Sequence, residues 1–166
     1  MDAIYARTSV RQFTDQDLTE AEIEKLLRAA MAAPSAGNQQ PWEFYVVRDA
    51  DARQQLSQAS PYAKPAGAAP VVVVVCQRTE GLRFRECAPQ DLSAAVENLL
   101  LEAAHMGLGA VWMGVAPEQD RMDNVAAAVK MPSGLEAFAL VAVGHPAAKP
   151  QPKCAGYYDE SRIHQL

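Results

Sequence analysis

Residues 34 to 42 read Pro-Ser-Ala-Gly-Asn-Gln-Gln-Pro-Trp, and residues 7 to 13 read Arg-Thr-Ser-Val-Arg-Gln-Phe. In the first stretch, small, amide and proline residues exclude both a helix and a regular strand, although it sits between two well-patterned elements. Ser35, Asn38, Gln39 and Gln40 offer hydroxyl and amide groups there. Amides pair with the mixed donor and acceptor edge of a heterocycle, as charged groups cannot. In the second stretch Arg7, Ser9 and Arg11 alternate, so an extended backbone would point all three the same way. Two guanidinium groups and a hydroxyl on one side suit a phosphate. A phosphate grip joined to an amide loop is what a bound mononucleotide cofactor requires.

Both motifs, in this order, resemble the nitroreductase family, the FMN-dependent NAD(P)H oxidoreductases, in its short form. The family's R-x-S-x-R/K-x-F start is matched by Arg7, Ser9, Arg11 and Phe13. Its P-S-x-x-N-x-Q-P-W-x-F loop is matched by Pro34, Ser35, Asn38, Gln40, Pro41, Trp42 and Phe44. Trp112, Met113 and Gly114 after a glycine-rich segment also fit, as does the ending Tyr-Asp-Glu-Ser-Arg-Ile-His at 158 to 164. The likeness therefore spans essentially the whole chain.

The resemblance implies an α+β fold: a nitroreductase-like α/β sandwich with a central, mainly antiparallel sheet flanked by helices. It also implies an intertwined homodimer around a long central helix. Residues 1–166 would form a single FMN-binding domain, and residues 146–166 a C-terminal arm exchanged with the partner subunit. NADH or NADPH would reduce the FMN and leave, and a nitroaromatic, quinone or similar acceptor would take the electrons in a ping-pong cycle. The rival is a non-catalytic flavin-binding or redox-sensing homodimer.

By resemblance, Arg7, Ser9 and Arg11 would hold the phosphate, and Thr8 between them belongs to the cofactor-binding set. Lys153 matches a further basic position, although Ala155 stands where many relatives place an arginine. Pro34, Ser35, Ala36 and Asn38 would reach the flavin from the second subunit, and Gln40 belongs to the same loop. Lys64 would lie near the pyrimidine end of the ring, where a fixed positive charge raises the reduction potential. Met113 and Gly114 would supply the backbone contact to the flavin's reactive nitrogen, where a glycine allows close approach, and Trp112 beside them belongs to the same cofactor-binding set. No catalytic side chain is implied, because hydride transfer belongs to the flavin. Trp42, opening a strand, reads as core.

At 166 residues the chain suits one domain, and 49% hydrophobic with 21% charged residues is a globular composition. A net charge of -5 argues against a nucleic-acid partner, which needs a basic surface. No apolar run approaches a membrane-spanning length and no secretory signal is visible, so no membrane partner and a cytoplasmic location are expected. Cys76, Cys87 and Cys154 are odd in number and widely separated, and His105, His145 and His164 lack ligand spacing. Neither a disulfide framework nor a metal site is indicated, and all six read as structural.

The elements that must position these residues follow from patterning. Thr19 and Glu22 form a capping box ahead of Ile23, Leu26, Leu27, Ala30 and Met31, predicting a helix that ends near Ala33 and stops at Pro34. A strand from Trp42 to Arg48, a short helix from about Ala52 to Ala59 and a loop over 60–70 follow. Val71 to Gln77 shows no alternation and predicts a strand buried on both faces. Residues 78–88 read as a charged surface excursion. Leu92, Ala95, Val96, Leu99, Leu100, Ala103 and Ala104 predict the strongest helix, stopped by Gly107. Ala94 and Leu101 make its other flank apolar, as at a subunit interface. A strand over Gly109–Val115, a helix over Gln119–Lys130 and a strand over Ala137–Gly144 complete the pattern. The proline-rich last twenty or so residues are either a disordered tail or an arm. Without a strand-GxGxxG-helix unit a Rossmann fold is disfavoured, and the residues alone lead to a mixed α/β sandwich.

Overall fold

A computed structural model describes residues 3–152 and 156–166. Strands β1 (Trp42–Val47), β2 (Val71–Arg78), β3 (Gly109–Gly114) and β4 (Leu135–Gly144) form one sheet in the order β1-β2-β4-β3, each neighbour antiparallel. Helices α1 (Ala3–Ala6), α2 (Glu20–Met31), α3 (Ala50–Ser57), α4 (Pro65–Ala68), α5 (Ala88–His105) and α6 (Gln119–Val129) surround it. The fold is α+β, a helix-covered antiparallel sheet.

The valine run of β2 explains the layering. Val71, Val73 and Val75 face Leu26 of α2 and Leu92, Val96 and Leu99 of α5. Val72, Val74 and Cys76 face Leu56 of α3, Ala66 of α4 and Val125 of α6. A strand covered on both sides has no polar face, which is why its sequence does not alternate. Trp42 is buried in the α2–α5 layer, a core residue.

Local signals set the element ends. The Thr19 side chain accepts from the Glu22 amide, and the Glu22 carboxylate accepts from the Thr19 amide at 2.7 Å, completing the capping box of α2. Helix α3 starts two residues before the sequence reading because the Asp49 carboxylate accepts from the Ala52 amide at 2.8 Å. The expected loop at 60–70 contains α4, with Pro65 at its first position, where a missing N–H costs nothing. The charged excursion closes into a 3-10 turn at Arg85–Cys87, from which α5 runs on at Ala88. Gly107, with φ +76°, follows the end of α5.

The N-terminal segment lies alongside β3. Val10 donates to the Ala110 carbonyl at 3.0 Å, and Thr14 donates to that of His145 at 2.9 Å. The approach requires Gly109, since a Cβ there would stand 2.6 Å from Cγ1 of Val10. Ala147 donates to the Gln12 carbonyl at 3.0 Å, tying the start of the tail to the same segment. Farther on, Tyr157, Tyr158 and Ile163 are exposed by 71, 77 and 50%, so residues 156–166 bury little against their own chain. Among the described residues no helix is long and apolar enough to cross a membrane, and no three His, Cys, Asp or Glu side chains converge for a metal.

Candidate flavin site

An open cleft of about 700 Å³ lies at the end of β3. Its floor is Trp112, Met113 and Gly114, its walls include Lys64 and Tyr62, and Arg11 enters from the N-terminal segment. Trp112 is held by a tilted contact with Phe138, ring centroids 5.9 Å apart. Among the described residues, its chain neighbours aside, nothing lies within 4 Å of where a Cβ on Gly114 would stand, so the main chain at this exposed strand end is open to close approach. Arg11 and Lys64 have no ion pair among the described residues. The volume suits a cofactor-sized molecule, and two cations without an ion pair among the described residues suit one that carries negative charge.

Arg7 is not in this cleft. With Thr8 and Val10 it lines a separate cavity of about 380 Å³ between α5 and the tail at Lys149, Pro150 and Pro152. Its guanidinium is 3.6 Å from the Glu97 carboxylate, a half-exposed pair worth little in water. Ser9, exposed, bridges to Ala110 on β3. Residues 7–12 thus divide two cavities, with Arg7 facing one and Arg11 the other. The expectation that Arg7 and Arg11 point into one space is not met within a protomer. Arg7 directly follows α1, its amide bonded to the Ala3 carbonyl at 2.9 Å, so the extended alternation starts only after it. Lys153, Cys154 and Ala155 lie outside the described residues.

The amide loop is a shaped turn. Gly37, Asn38 and Gln40 all have positive φ, of 56, 55 and 46°, around a 3-10 turn at Ala36–Asn38. Left-handed backbone at Asn38 and Gln40 is strain that neighbours must hold in place. The Ser35 hydroxyl accepts from the Gln40 amide at 2.9 Å, and Arg78 donates to the Gln39 and Gln40 carbonyls. The principal clamp is Asp91 in the first turn of α5. Only 6% exposed, its carboxylate accepts from the Ala36 amide at 2.9 Å and from Nε2 of Gln39 at 2.8 Å. Gln39 also bonds the Phe84 backbone through both amide atoms, so it fastens the loop, while Asn38 and Gln40 are exposed.

The sequence reading missed Asp91 and Arg78, since a lone acid in a helix's first turn reads as a dipole partner. It also missed Tyr62 and Arg121 on the cleft wall, which no motif marks. Cys76 is fully buried in β2, and that burial, with the Glu43 charge adding to it, pushes its thiol up to about 12, so it is no nucleophile.

Within one protomer, residues 34–40 line neither the cleft nor the cavity at Arg7. The loop enters β1 and the cleft ends β3, at the same end of the sheet but on opposite edges, three strand spacings or roughly 14 Å apart.

This arrangement belongs to a known group: the nitroreductase family model matches residues 4–61 and 59–145, and the chain is a member of that family. An Archaeoglobus fulgidus protein with the provisional name NADH dehydrogenase/NAD(P)H nitroreductase is 40% identical over 144 residues, 86% of this chain and 83% of that one. A Clostridium acetobutylicum crystal structure, provisionally an NADH oxidase, is 41% identical with a TM-score of 0.93, covering 98% of both chains. A Desulfovibrio desulfuricans structure, provisionally a nitroreductase and solved in complex with FMN, is 31% identical with a TM-score of 0.78, over 91% of this chain and 88% of that one.

Proposed function

We propose that this protein is an FMN-dependent oxidoreductase that passes electrons from NADH or NADPH to a small organic acceptor, such as a nitroaromatic or a quinone, by a ping-pong cycle. The observation that carries it is the cleft: a bare strand end at Trp112 to Gly114, faced by Arg11 and Lys64, which form no ion pair among the described residues, in a nitroreductase fold. When bound, the flavin supplies the hydride and electron transfer. The chain's own work is to bind, orient and charge the site. Arg7, Thr8 and Ser9 form the phosphate end of the anchor with Lys153, and Arg11 stands where the anchor meets the cleft. Exchanging the weak Glu97 pair for a phosphate frees Arg7 at small cost. Lys64 would supply a positive charge to a flavin bound in the cleft, and the Gly114 main chain would be free to approach it.

The amide loop serves the site of the second chain. Its separation from the cleft within one protomer supports a homodimer in which Pro34, Ser35, Ala36, Asn38 and Gln40 reach the partner's flavin. Residues 1–166 then act as one domain in the cytoplasm, with 146–166 as the exchanged arm, whose exposed tyrosines fit that role.

The test is the visible spectrum of the purified protein, followed by anaerobic addition of each nicotinamide. A yellow protein that bleaches and then reoxidises with an added acceptor is expected. A colourless protein that does not take up FMN would overturn the reading, and bleaching without turnover would leave a non-catalytic flavin binder.

A further inference from the structure

Arg121 also lines the cleft and has no part in holding the flavin as described above. It lies in the first turn of α6, half-buried, with its guanidinium carbon 5.8 Å from the centroid of the Tyr62 ring. Tyr62, in the turn between α3 and α4, is 70% exposed, an open position for an aromatic unless the ring serves as a platform. An arginine stacked on a ring presents its face to it and leaves its in-plane N–H donors for something else. Among the described residues Arg121 forms no ion pair, and its guanidinium donates no hydrogen bond. Among the described residues no carboxylate lines the cleft, which makes it locally positive on a chain of net charge -5.

We propose that Arg121, held in place by Tyr62, is a specificity-determining residue that binds a carboxylate or phosphate of the small molecule exchanging electrons over the Trp112 to Gly114 floor. The proposal rests on the flavin-oxidoreductase reading. Two sources supply such an anion: the phosphates of the nicotinamide dinucleotide, or a charged substituent on the acceptor. A planar, bidentate donor fits either one.

The test compares the parent with Arg121→Gln and Arg121→Lys, using two matched pairs of reactants. NADH is set against 1-benzyl-1,4-dihydronicotinamide, which lacks the phosphates, and 4-nitrobenzoate against the neutral 4-nitrobenzamide. Arg121→Gln is expected to lower kcat/KM for an anionic member by about five- to tenfold while its neutral counterpart stays within about twofold. Arg121→Lys keeps part of the discrimination, and added salt erodes it in the parent. Loss confined to NADH assigns the dinucleotide, and loss confined to 4-nitrobenzoate assigns the acceptor. Equal effects on charged and neutral members, or none on either, overturn the proposal.

Should the parent carry no flavin and turn over nothing, the underlying reading fails and the anion site is still tested by binding. Calorimetric titration should then show tighter binding of 4-nitrobenzoate than of 4-nitrobenzamide, a preference that Arg121→Gln removes. Equal binding in the parent counts against the site.

Discussion

Lys64 is exposed and unpaired among the described residues, so water screens its charge until a planar ligand covers the cleft. Its effect should therefore fall on the electron affinity of the bound ring more than on binding. Lys64→Met is expected to lower the flavin midpoint potential by about 20 to 30 mV, the equivalent of roughly 1 to 1.4 kcal/mol for two electrons, and to slow reduction by nicotinamide. Potentiometry that returned the parent's value would make Lys64 an ordinary surface lysine. Cys76 gives the opposite case, a group removed from chemistry by its surroundings. With its thiol pushed up to about 12, iodoacetamide at neutral pH should leave Cys76 unmodified in the folded protein and react with it only after denaturation, as mass spectrometry of the alkylated peptides would show. At this scale the sequence displayed residues whose types are rare in their setting: arginines at alternate positions, amides crowded into one loop, a lysine among prolines. It concealed Asp91, a single charge in the first turn of α5, and Arg121, which follows Asp120 in the first turn of α6, because only the fold shows that one is buried beneath a loop and the other stacked on a tyrosine.

Two helix starts carry the element scale. The N-terminal turn of α5 holds the amide loop through Asp91, so Asp91→Ala leaves the Ala36 amide and the Gln39 side chain without an acceptor. A loss of about 1.5 to 3 kcal/mol in urea unfolding is expected, with weaker flavin retention, whereas Asp91→Asn keeps one acceptor and should lose less. An Asp91→Ala protein of parental stability would remove the clamp from the account. The start of α2 gives a pH dependence. The Glu22 carboxyl is held below its ordinary 4.5, first by the Thr19 amide, then by the Thr19 hydroxyl, with smaller help from the charge of His145. Because the folded value is depressed, the stabilisation is present above the unfolded value and is lost as pH falls through the folded one. Glu22→Gln keeps an acceptor for the Thr19 amide and loses only the charge, so it should cost about 0.3 to 1 kcal/mol near neutrality, and thermal melts of parent and variant should converge on acidification below 4.5. Divergence on acidification would contradict that sign. The capping box was legible because its residues are adjacent in sequence, and β2 because a doubly covered strand cannot hide its composition. Helix α4 was not, since four residues give no periodicity to read.

For the whole molecule, the question is which pieces of one site belong to one chain. In a protomer the cationic cleft ends β3 while the amide loop opens β1, on opposite edges of a four-stranded sheet. Met31, Tyr157 and Tyr158 lie exposed, and Leu101 on the outer flank of α5 lines a shallow groove with Ala29 and Ala3. An interface face would read in sequence like a second core stripe, so the doubly apolar α5 points toward a partner without saying which loop would meet which cleft. The proposed pairing has a direct test. A heterodimer joining an Arg7→Ala/Arg11→Ala chain to an Asn38→Ala/Gln40→Ala chain gathers both defects into one of its two sites. The other site is assembled wholly from intact parts. With two-fold symmetry, such a heterodimer purified by two affinity tags should recover about half of the parent activity, which neither mutant homodimer shows. Were each chain to build its site alone, both sites of the heterodimer would be damaged, and its activity would only average those of the two mutant homodimers.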